Sequence, residues 1–370
     1  MHIVLVLDSL ANSGTEKSTA ELAAYFAKKH TVTVVYFYPN HSLLTTYQLA
    51  NANVVFLPDN GIIPFAKGIR SFYRYCLLNQ PNVVISSLFR ANLIARLVCM
   101  YAKIPLLGTF VSDSYHHLRI QSLSTKQRLG FLLTKTFDRC TAHIPSAYIA
   151  NALCIANSNA QHLGITKQKI HVVYRGRDAK MFGPWQAPLA SNAFIWVVIG
   201  RLISTKGCLE IVTAFTALHK HYPNMQLHFY GDGNLKTHLQ EKIDALQLQQ
   251  SVYIHGNISM AWQKIYEAHA FVFASWYEGF SGALVEAMLT GVPIVASNIP
   301  MNLEAVTHNT TARIFQVQNV TDLQTQMLWI FQNYSQAQLL GQQARKEALA
   351  RFDMQQIGAN YLQIVEQYCR

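Results

Sequence analysis

Short β-branched runs alternate with longer helical patterns from one end of this chain to the other. That rhythm restricts the fold more than any other feature, because a strand–helix–strand repeat closes into a parallel sheet flanked by helices. In the first half, strands are expected near His2–Leu7, Thr31–Tyr38, Asn53–Leu57, Asn82–Ser86, Leu106–Phe110, Cys154–Ala156 and His171–Tyr174. Segment 178–192 contains Gly183, Pro184 and Pro188 and little periodicity, so it reads as a linker. The rhythm restarts with Phe194–Ile199, Gln226–Tyr230, Val252–His255, Phe271–Ala274, Ile294–Ala296 and Arg313–Phe315. The expected class is α/β, with two doubly wound domains at 1–180 and 190–353. Residues 354–370 carry a helical stripe of Ile357, Tyr361, Ile364, Val365 and Tyr368 and read as a closing helix. Sheets of this kind take ligands at the carboxyl ends of their strands, so two that face each other would make a cleft.

Composition agrees with buried sheets. Of 370 residues, 51% are hydrophobic and 13% charged, which excludes a disordered or highly solvated chain. The longest uncharged apolar runs, 193–200 and 268–276, are far shorter than the ~18 residues needed to cross a bilayer. The opening Met1-His2-Ile3-Val4-Leu5-Val6-Leu7-Asp8 lacks the basic flank of a signal peptide and reads as a first strand. Six scattered cysteines form no Cys-x-x-Cys pair and no His/Cys metal spacing, so free thiols in a reducing cytoplasm are expected. Charge is divided unevenly: residues 1–185 hold 19 Lys and Arg against 7 acids, whereas 186–370 hold 11 against 12. The first half is therefore suited to an anionic partner, whether a phospholipid surface, a phosphate-bearing acceptor or nucleic acid.

Chemistry concentrates in the second half. Glu278 and Glu286 bracket a glycine-containing turn, Gly279-Phe280-Ser281-Gly282, and the start of a helix. Backbone N–H groups in such a turn can approach a ligand closely, and the helix N-terminus favours phosphate. Glu286 is placed about two turns inside that helix, with Glu278 at its mouth. The alternative is that Glu278 merely offsets the helix dipole while Glu286 is solvated. Arg201 and Lys206, after the apolar strand FIWVVI, can neutralise a diphosphate from two sides or sit in an ordinary solvated loop. Tyr230-Gly231-Asp232-Gly233 is a tight turn that either admits a nucleotide or simply turns. In the first half, Ser13-Gly14-Thr15-Glu16 joins a strand to a helix and fits either a phosphate site or an N-cap.

Taken together, the Glu-x7-Glu pair, Gly200-Arg201-Leu202 with Lys206-Gly207, the 231–233 turn, His255-Gly256-Asn257 and the strand Gly291-Val292-Pro293-Ile294-Val295-Ala296-Ser297 resemble family 4 retaining glycosyltransferases of the GT-B fold. Ile155-Ala156-Asn157-Ser158, the passage from His171 to Asp178 and Phe182 resemble the same family's approach to its interdomain linker. The resemblance implies two Rossmann-like domains facing across a cleft and transfer of a sugar, with retention, from a nucleotide-diphosphate donor, with UDP favoured. It also implies that the closing helix 354–370 crosses back onto the first domain, and that no metal or other cofactor is needed. By motif position Glu278 would hold sugar hydroxyls, the N–H groups of Phe280, Ser281 and Gly282 would meet sugar or phosphate, and Glu286 would take the ribose hydroxyls. Arg201 and Lys206 would hold the diphosphate, Gly231 and Gly233 would let the nucleotide approach, and Gly14 would lie near the donor phosphates. This chain departs from the family in Ser281, where a Gly is usual, and in Val111, where a histidine is usual. Asp113, His116 and His117 are the nearest polar substitutes, so Asp113 and His116 are taken as catalytic candidates, although a loop histidine without a role fits the sequence equally.

Lys67, Arg70 and Arg74 recur at helical spacing among Phe65, Phe72, Tyr73 and Tyr75, and Lys126, Arg128, Lys135 and Arg139 extend the basic character. This is either a surface for anionic lipid or a solvated helix whose rings fill the core. The first reading leads to a cytoplasmic enzyme, peripheral at the inner face of the membrane, with a glycan or lipid-linked acceptor in cell-surface polysaccharide or lipopolysaccharide synthesis. The rival readings are a sugar-nucleotide epimerase or phosphorylase on the same scaffold and, remotely, a nucleic-acid-binding protein. No helix-turn-helix or RNP-like signature supports the last, and no nucleic-acid partner is expected.

Overall fold

A computed structural model describes residues 1–59, 65–121, 124–188 and 193–369. The chain divides into two compact units, residues 1–177 with 354–370, and residues 178–353. The last part of the expected linker (189–192), the side chain of Lys126 and Arg370 lie outside the described residues.

The first unit is built on a seven-stranded, wholly parallel sheet. Its strands are β1 (His2–Leu7), β2 (Thr31–Tyr36), β3 (Asn53–Phe56), β4 (Val83–Ser86), β5 (Leu106–Phe110), β6 (Ala147–Ala150) and β7 (Ile170–Val172), in the order β3-β2-β1-β4-β5-β6-β7. Burial follows position in that order: every residue of β4, β5 and β6 is buried, whereas the edge strands β3 and β7 are only partly covered. Strands covered on both faces are continuous apolar runs. In β1, Ile3, Leu5 and Leu7 join the core beneath helices Gly14–Phe26 and Met354–Tyr368, while Val4 and Val6 face helices Ala66–Asn79 and Phe89–Ala102. The register pairs Val4 with Thr33 on one side and with Val84 on the other.

One expected strand is a helix. Cys154–Ala156 lies inside helix Leu153–Leu163, and the strand is the preceding β6. Ile155, Ala156, Asn159, Ala160 and Leu163 are buried at helical spacing, so the short apolar run is one face of a helix. The basic helix Ala66–Asn79 also separates the two readings of its stripe. Lys67, Arg70 and Arg74 are exposed, but Phe72 is fully buried and Tyr75 stacks on it at 6.3 Å.

The second unit has a six-stranded parallel sheet of β8 (Phe194–Ile199), β9 (Met225–Tyr230), β10 (Val252–Ile254), β11 (Ala270–Phe273), β12 (Ile294–Ser297) and β13 (Arg313–Phe315), in the order β10-β9-β8-β11-β12-β13. In both sheets the order reverses beside the first strand, between β1 and β4 and between β8 and β11, where an open α/β sheet has its ligand crevice. Segment 178–188 is packed rather than slack: Phe182 is buried against Trp262, and Trp185 donates through its backbone to the Thr290 carbonyl and through Nε1 to that of Ala268.

The closing helix Met354–Tyr368 lies on helix Gly14–Phe26 with Gly358 against the Tyr25 ring, where a Cβ would clash. Ile357, Ile364 and Val365 enter the same core, and the Met354 amide donates to the Arg177 carbonyl at 2.9 Å. Gly358→Val should therefore cost about 1–3 kcal/mol through overpacking, read as a melting transition lowered by several degrees; an unchanged melting curve would contradict this packing.

Candidate active site

In the second unit, the site begins where β11 ends. Helix Gly282–Thr290 starts at Gly282 and is N-capped by Ser281, whose Oγ accepts from the Leu284 amide at 3.5 Å. Glu286 is therefore about one turn inside the helix, not two, because the Ser281 cap starts it later than the glycines suggest. It is half-buried, and its neighbours Leu284, Val285, Ala287 and Met288 are all buried.

Glu278 and Lys206 meet directly. The Lys206 ammonium donates to Glu278 Oε1, which also accepts from Ser275 Oγ at 2.8 Å, and both charged side chains are about 15% exposed. The pair is thus held together and oriented, with Lys206 Nζ also 5.5 Å from the Phe273 ring centre. Arg201, five residues before Lys206, is exposed. The turn carrying Lys206 is tied to the turn carrying Glu278 by the Trp276 amide, which donates to the Thr205 carbonyl at 2.8 Å.

Gly231 and Gly233 have a structural reason of their own. A Cβ on Gly231 would overlap the Gly200 carbonyl oxygen, and one on Gly233 would collide with the Leu202 backbone. Those turns interlock through Gly200 N to Tyr230 O at 3.1 Å and Leu202 N to Asp232 O at 2.9 Å. The glycines allow the loops after β8 and β9 to touch, and so fix where Arg201 stands. Phe280 is buried and packs edge-on to Phe352, so its contribution to a ligand is limited to its backbone.

In the first unit, Gly14 opens helix Gly14–Phe26 with the Arg175 guanidinium lying against it, 3.1 Å from where a Cβ would be. Ser13 occupies the N-cap position, but its hydroxyl donates to the buried Glu16 carboxylate instead of capping the helix. Asp113 and His116 share the turn after β5. Asp113 Oδ1 accepts from Ser158 Oγ at 2.9 Å and from the Tyr115 amide at 3.2 Å, while His116 Nδ1 accepts from the Leu118 amide at 3.4 Å. Burial lowers the His116 pKa below its ordinary 6.5 against the raising effect of Asp113, and nearby His117 lowers it further. Val111 accepts from Asn151 Nδ2 through its carbonyl at 3.0 Å. Among the described residues, no group of three or more His, Cys, Asp or Glu is placed to hold a metal ion.

Two features escaped the sequence reading. One is the buried network below the Asp113 turn: Arg96 pairs with Asp138, whose other oxygen accepts from Tyr115 Oη, and the Arg96 guanidinium lies 5.7 Å from the Tyr148 ring centre. An arginine inside an apolar helix and a tyrosine between two polar residues give no pairing signal in sequence. The other is Asp8, at the end of β1 beside the point of reversal. Burial raises its pKa from an ordinary 3.8 to about 6, despite the Ala91 amide donating to it at 2.6 Å and the Arg90 charge nearby. A carboxylate closing the first strand was the available signal.

The folded protein keeps the Asp8 proton in a pH range where the unfolded chain has lost it, so this contribution is complete below about pH 4 and is lost as pH rises toward 6. Asp8→Asn retains an acceptor for Ala91. Its stability relative to wild type, from urea unfolding, should rise across that window by up to about 3 kcal/mol, at 1.36 kcal/mol per unit. A difference that stays constant from pH 4 to 7 would contradict the burial of a protonated Asp8.

Comparison with known proteins accounts for both units. Residues 12–180 match the family described as Glycosyltransferase Family 4, and residues 183–347 match Glycosyl transferases group 1. A 2-deoxystreptamine N-acetyl-D-glucosaminyltransferase of Niallia circulans is 30% identical over 259 residues, 69% of this chain and 63% of its own. An N-acetylgalactosamine-N,N'-diacetylbacillosaminyl-diphospho-undecaprenol 4-alpha-N-acetylgalactosaminyltransferase of Campylobacter jejuni is 25% identical over 307 residues, 78% of this chain and 79% of its own. The chain spans 26% and 63% of the length of the first two curated relatives it matches. Among solved structures, Anabaena HepE in complex with UDP shares the fold at a TM-score of 0.84 and 17% identity, covering 99% of this chain and all of that one. With two parallel α/β units and family matches that run almost from end to end, this chain belongs to the family 4, group 1 glycosyltransferases and has the GT-B fold.

Proposed function

We propose that this protein transfers a sugar, with retention at the anomeric carbon, from a nucleotide-diphosphate donor to a glycan or lipid-linked acceptor. The observation that carries the reading is the Lys206–Glu278 pair, steadied by Ser275 beside the capped N-terminus of helix Gly282–Thr290. In such a transfer, negative charge grows on the leaving diphosphate. Fixed cations and helix N–H dipoles therefore stabilise the transition state more than the ground state. Lys206 and Arg201 take the phosphates in this reading. Glu278, already aimed by its two donors, takes sugar hydroxyls; the backbone of Phe280, Ser281 and Gly282 meets sugar or phosphate, and Glu286 takes the ribose. Asp113 and His116 serve the acceptor side, where a neutral imidazole can accept a hydroxyl proton.

UDP is the favoured donor nucleotide, an inference supported by the UDP complex of the Anabaena neighbour. No metal is required in this reading, because the cations of the site are side chains. The diphospho-undecaprenol named for the Campylobacter relative supports a lipid-linked acceptor in cell-surface polysaccharide or lipopolysaccharide synthesis, at the cytoplasmic face of the membrane. No helix among the described residues is long and apolar enough to cross a membrane.

Calorimetry of the purified protein against UDP, GDP and ADP without metal should show one diphosphate binding, weakened at least tenfold by Arg201→Ala or Glu286→Ala. Failure of every nucleotide to bind would overturn the donor assignment. Lys206→Ala and Glu278→Ala should each lower kcat/KM about 10²- to 10³-fold. The uncharged double variant Lys206→Met, Glu278→Gln separates chemistry from packing, since near wild-type turnover in it would reduce the pair to a structural tie. Release of UDP only when acceptor is present marks transfer; conversion of the donor sugar without release would mark an epimerase instead.

A further inference from the structure

Behind Glu278 stand three polar residues that the second unit buries almost completely. Ser275, Ser297 and Asn302 are 1%, 0% and 1% exposed, and their sequence neighbours Ala274, Ala296 and Met301 are buried and apolar. Asn302 lies in the short helix Pro300–Ala305 and donates through Nδ2 to the Ser297 carbonyl at 3.0 Å and to Ser297 Oγ at 3.1 Å. A carbonyl only accepts, so the amide turns its nitrogen to Ser297, and both of its protons find partners there. Ser297 Oγ donates in turn to the Ser275 carbonyl at 2.6 Å, and Ser275 Oγ donates to Glu278 Oε1 at 2.8 Å. Every donor points along one path, from Asn302 through Ser297 and Ser275 to the carboxylate.

That path begins where the sheet gives out. Strands β11 and β12 are paired as far as Phe273 and Ala296. Ser297 closes β12, and its hydroxyl reaches the Ser275 carbonyl two residues beyond the last pair of β11. Apolar side chains at 297 and 302 would fill the same space without burying groups that are costly unless bonded. What the polar pair adds is direction. Packing fixes where a side chain lies, whereas a hydrogen bond to the Ser275 carbonyl fixes how that peptide is turned, and with it where the Ser275 hydroxyl points. We infer that Ser297 and Asn302 are positioning residues for the donor site: by setting the Ser275 peptide they hold the Glu278 carboxylate on Lys206, in the orientation that receives the donor sugar. The inference rests on the reading of Glu278 as the group that takes sugar hydroxyls, and extends it to two residues buried behind the site.

The test reads the pair without any sugar donor. The full chain is labelled with acetic anhydride and the rate at Lys206 followed by peptide mass spectrometry, because an ammonium held by a carboxylate must leave it before it is acylated. Glu278→Ala should raise that rate at least tenfold. Ser297→Ala and Asn302→Leu should each raise it several-fold, with the rate at exposed Lys220 unchanged. Ser297→Thr, which keeps the hydroxyl, should label like wild type. In a Glu278→Ala background Ser297→Ala should add nothing, since its effect runs through the carboxylate. Ser297→Ala and Asn302→Leu that both label at the wild-type rate would overturn the inference, as would a Ser297→Ala increment of the same size in both backgrounds. An unchanged Lys206 rate in Glu278→Ala would remove the pair itself, and the inference with it. Should Ser297→Ala unfold, shown by faster labelling at Lys220 as well, Asn302→Leu alone decides. Calorimetry with UDP judges the transferase reading apart: wild type that binds no UDP would sink that reading, and the labelling rates do not depend on it.

Discussion

A parallel strand buried on both faces can satisfy its backbone only through its two neighbours, and it can reach the next strand only by a crossover on one face of the sheet. Both sheets accept that constraint throughout, and every strand of a unit then ends at the same edge. Charged residues have no place inside strands such as β4, β5, β11 and β12, whose every position is buried and whose few hydroxyls, Ser86, Thr109 and Ser297, are each hydrogen-bonded. Charged groups collect in the turns at the carboxyl edge. Asp8, Asp113, Arg201, Asp232 and Glu278 all stand just beyond a strand, so the topology selects the site before any single residue does.

The strand-and-helix rhythm was legible in sequence because the buried parallel strands are nearly continuous apolar runs and the helices between them are periodic. The closing helix was legible for the same reason: Ile357, Ile364 and Val365 form a stripe that reaches the core. The reading failed at Cys154–Ala156, where three apolar residues in a row fit a strand or a helix face equally and only the burial of Asn159, Ala160 and Leu163 decides. The depth of Glu286 in its helix turned on which residue caps it. Tertiary pairing was the least legible. Lys206 and Glu278 are 72 positions apart and were both singled out, yet their meeting depends on the turns joined by Trp276 and Thr205. Asp8 showed only as a carboxylate closing the first strand, with nothing to mark its burial, and the Arg96–Asp138–Tyr115 network left no local pattern at all.

That network gives the loop after β5 a rigidity its sequence does not suggest. Tyr115 is buried between Asp113 and His116, and its hydroxyl is fixed by a carboxylate that is itself held by a buried arginine. Removing Arg96 or Asp138 leaves an uncompensated charge in the interior, and removing Tyr115 leaves an Asp138 oxygen without that donor. The same carboxylate belongs to helix Thr125–Thr141, and one buried group thus sets both the loop and the helix.

The bond between Met354 and Arg177 carries a consequence for how the protein is made. The first unit requires helix Met354–Tyr368 over Tyr25, yet that helix leaves the ribosome only after the whole of 178–353. The second unit, one uninterrupted stretch of chain, can finish folding during synthesis, while the first waits with its Ile3–Leu5–Leu7 face lacking one of its covers. In a molecule read from amino to carboxyl end, the half that begins first is the half that closes last.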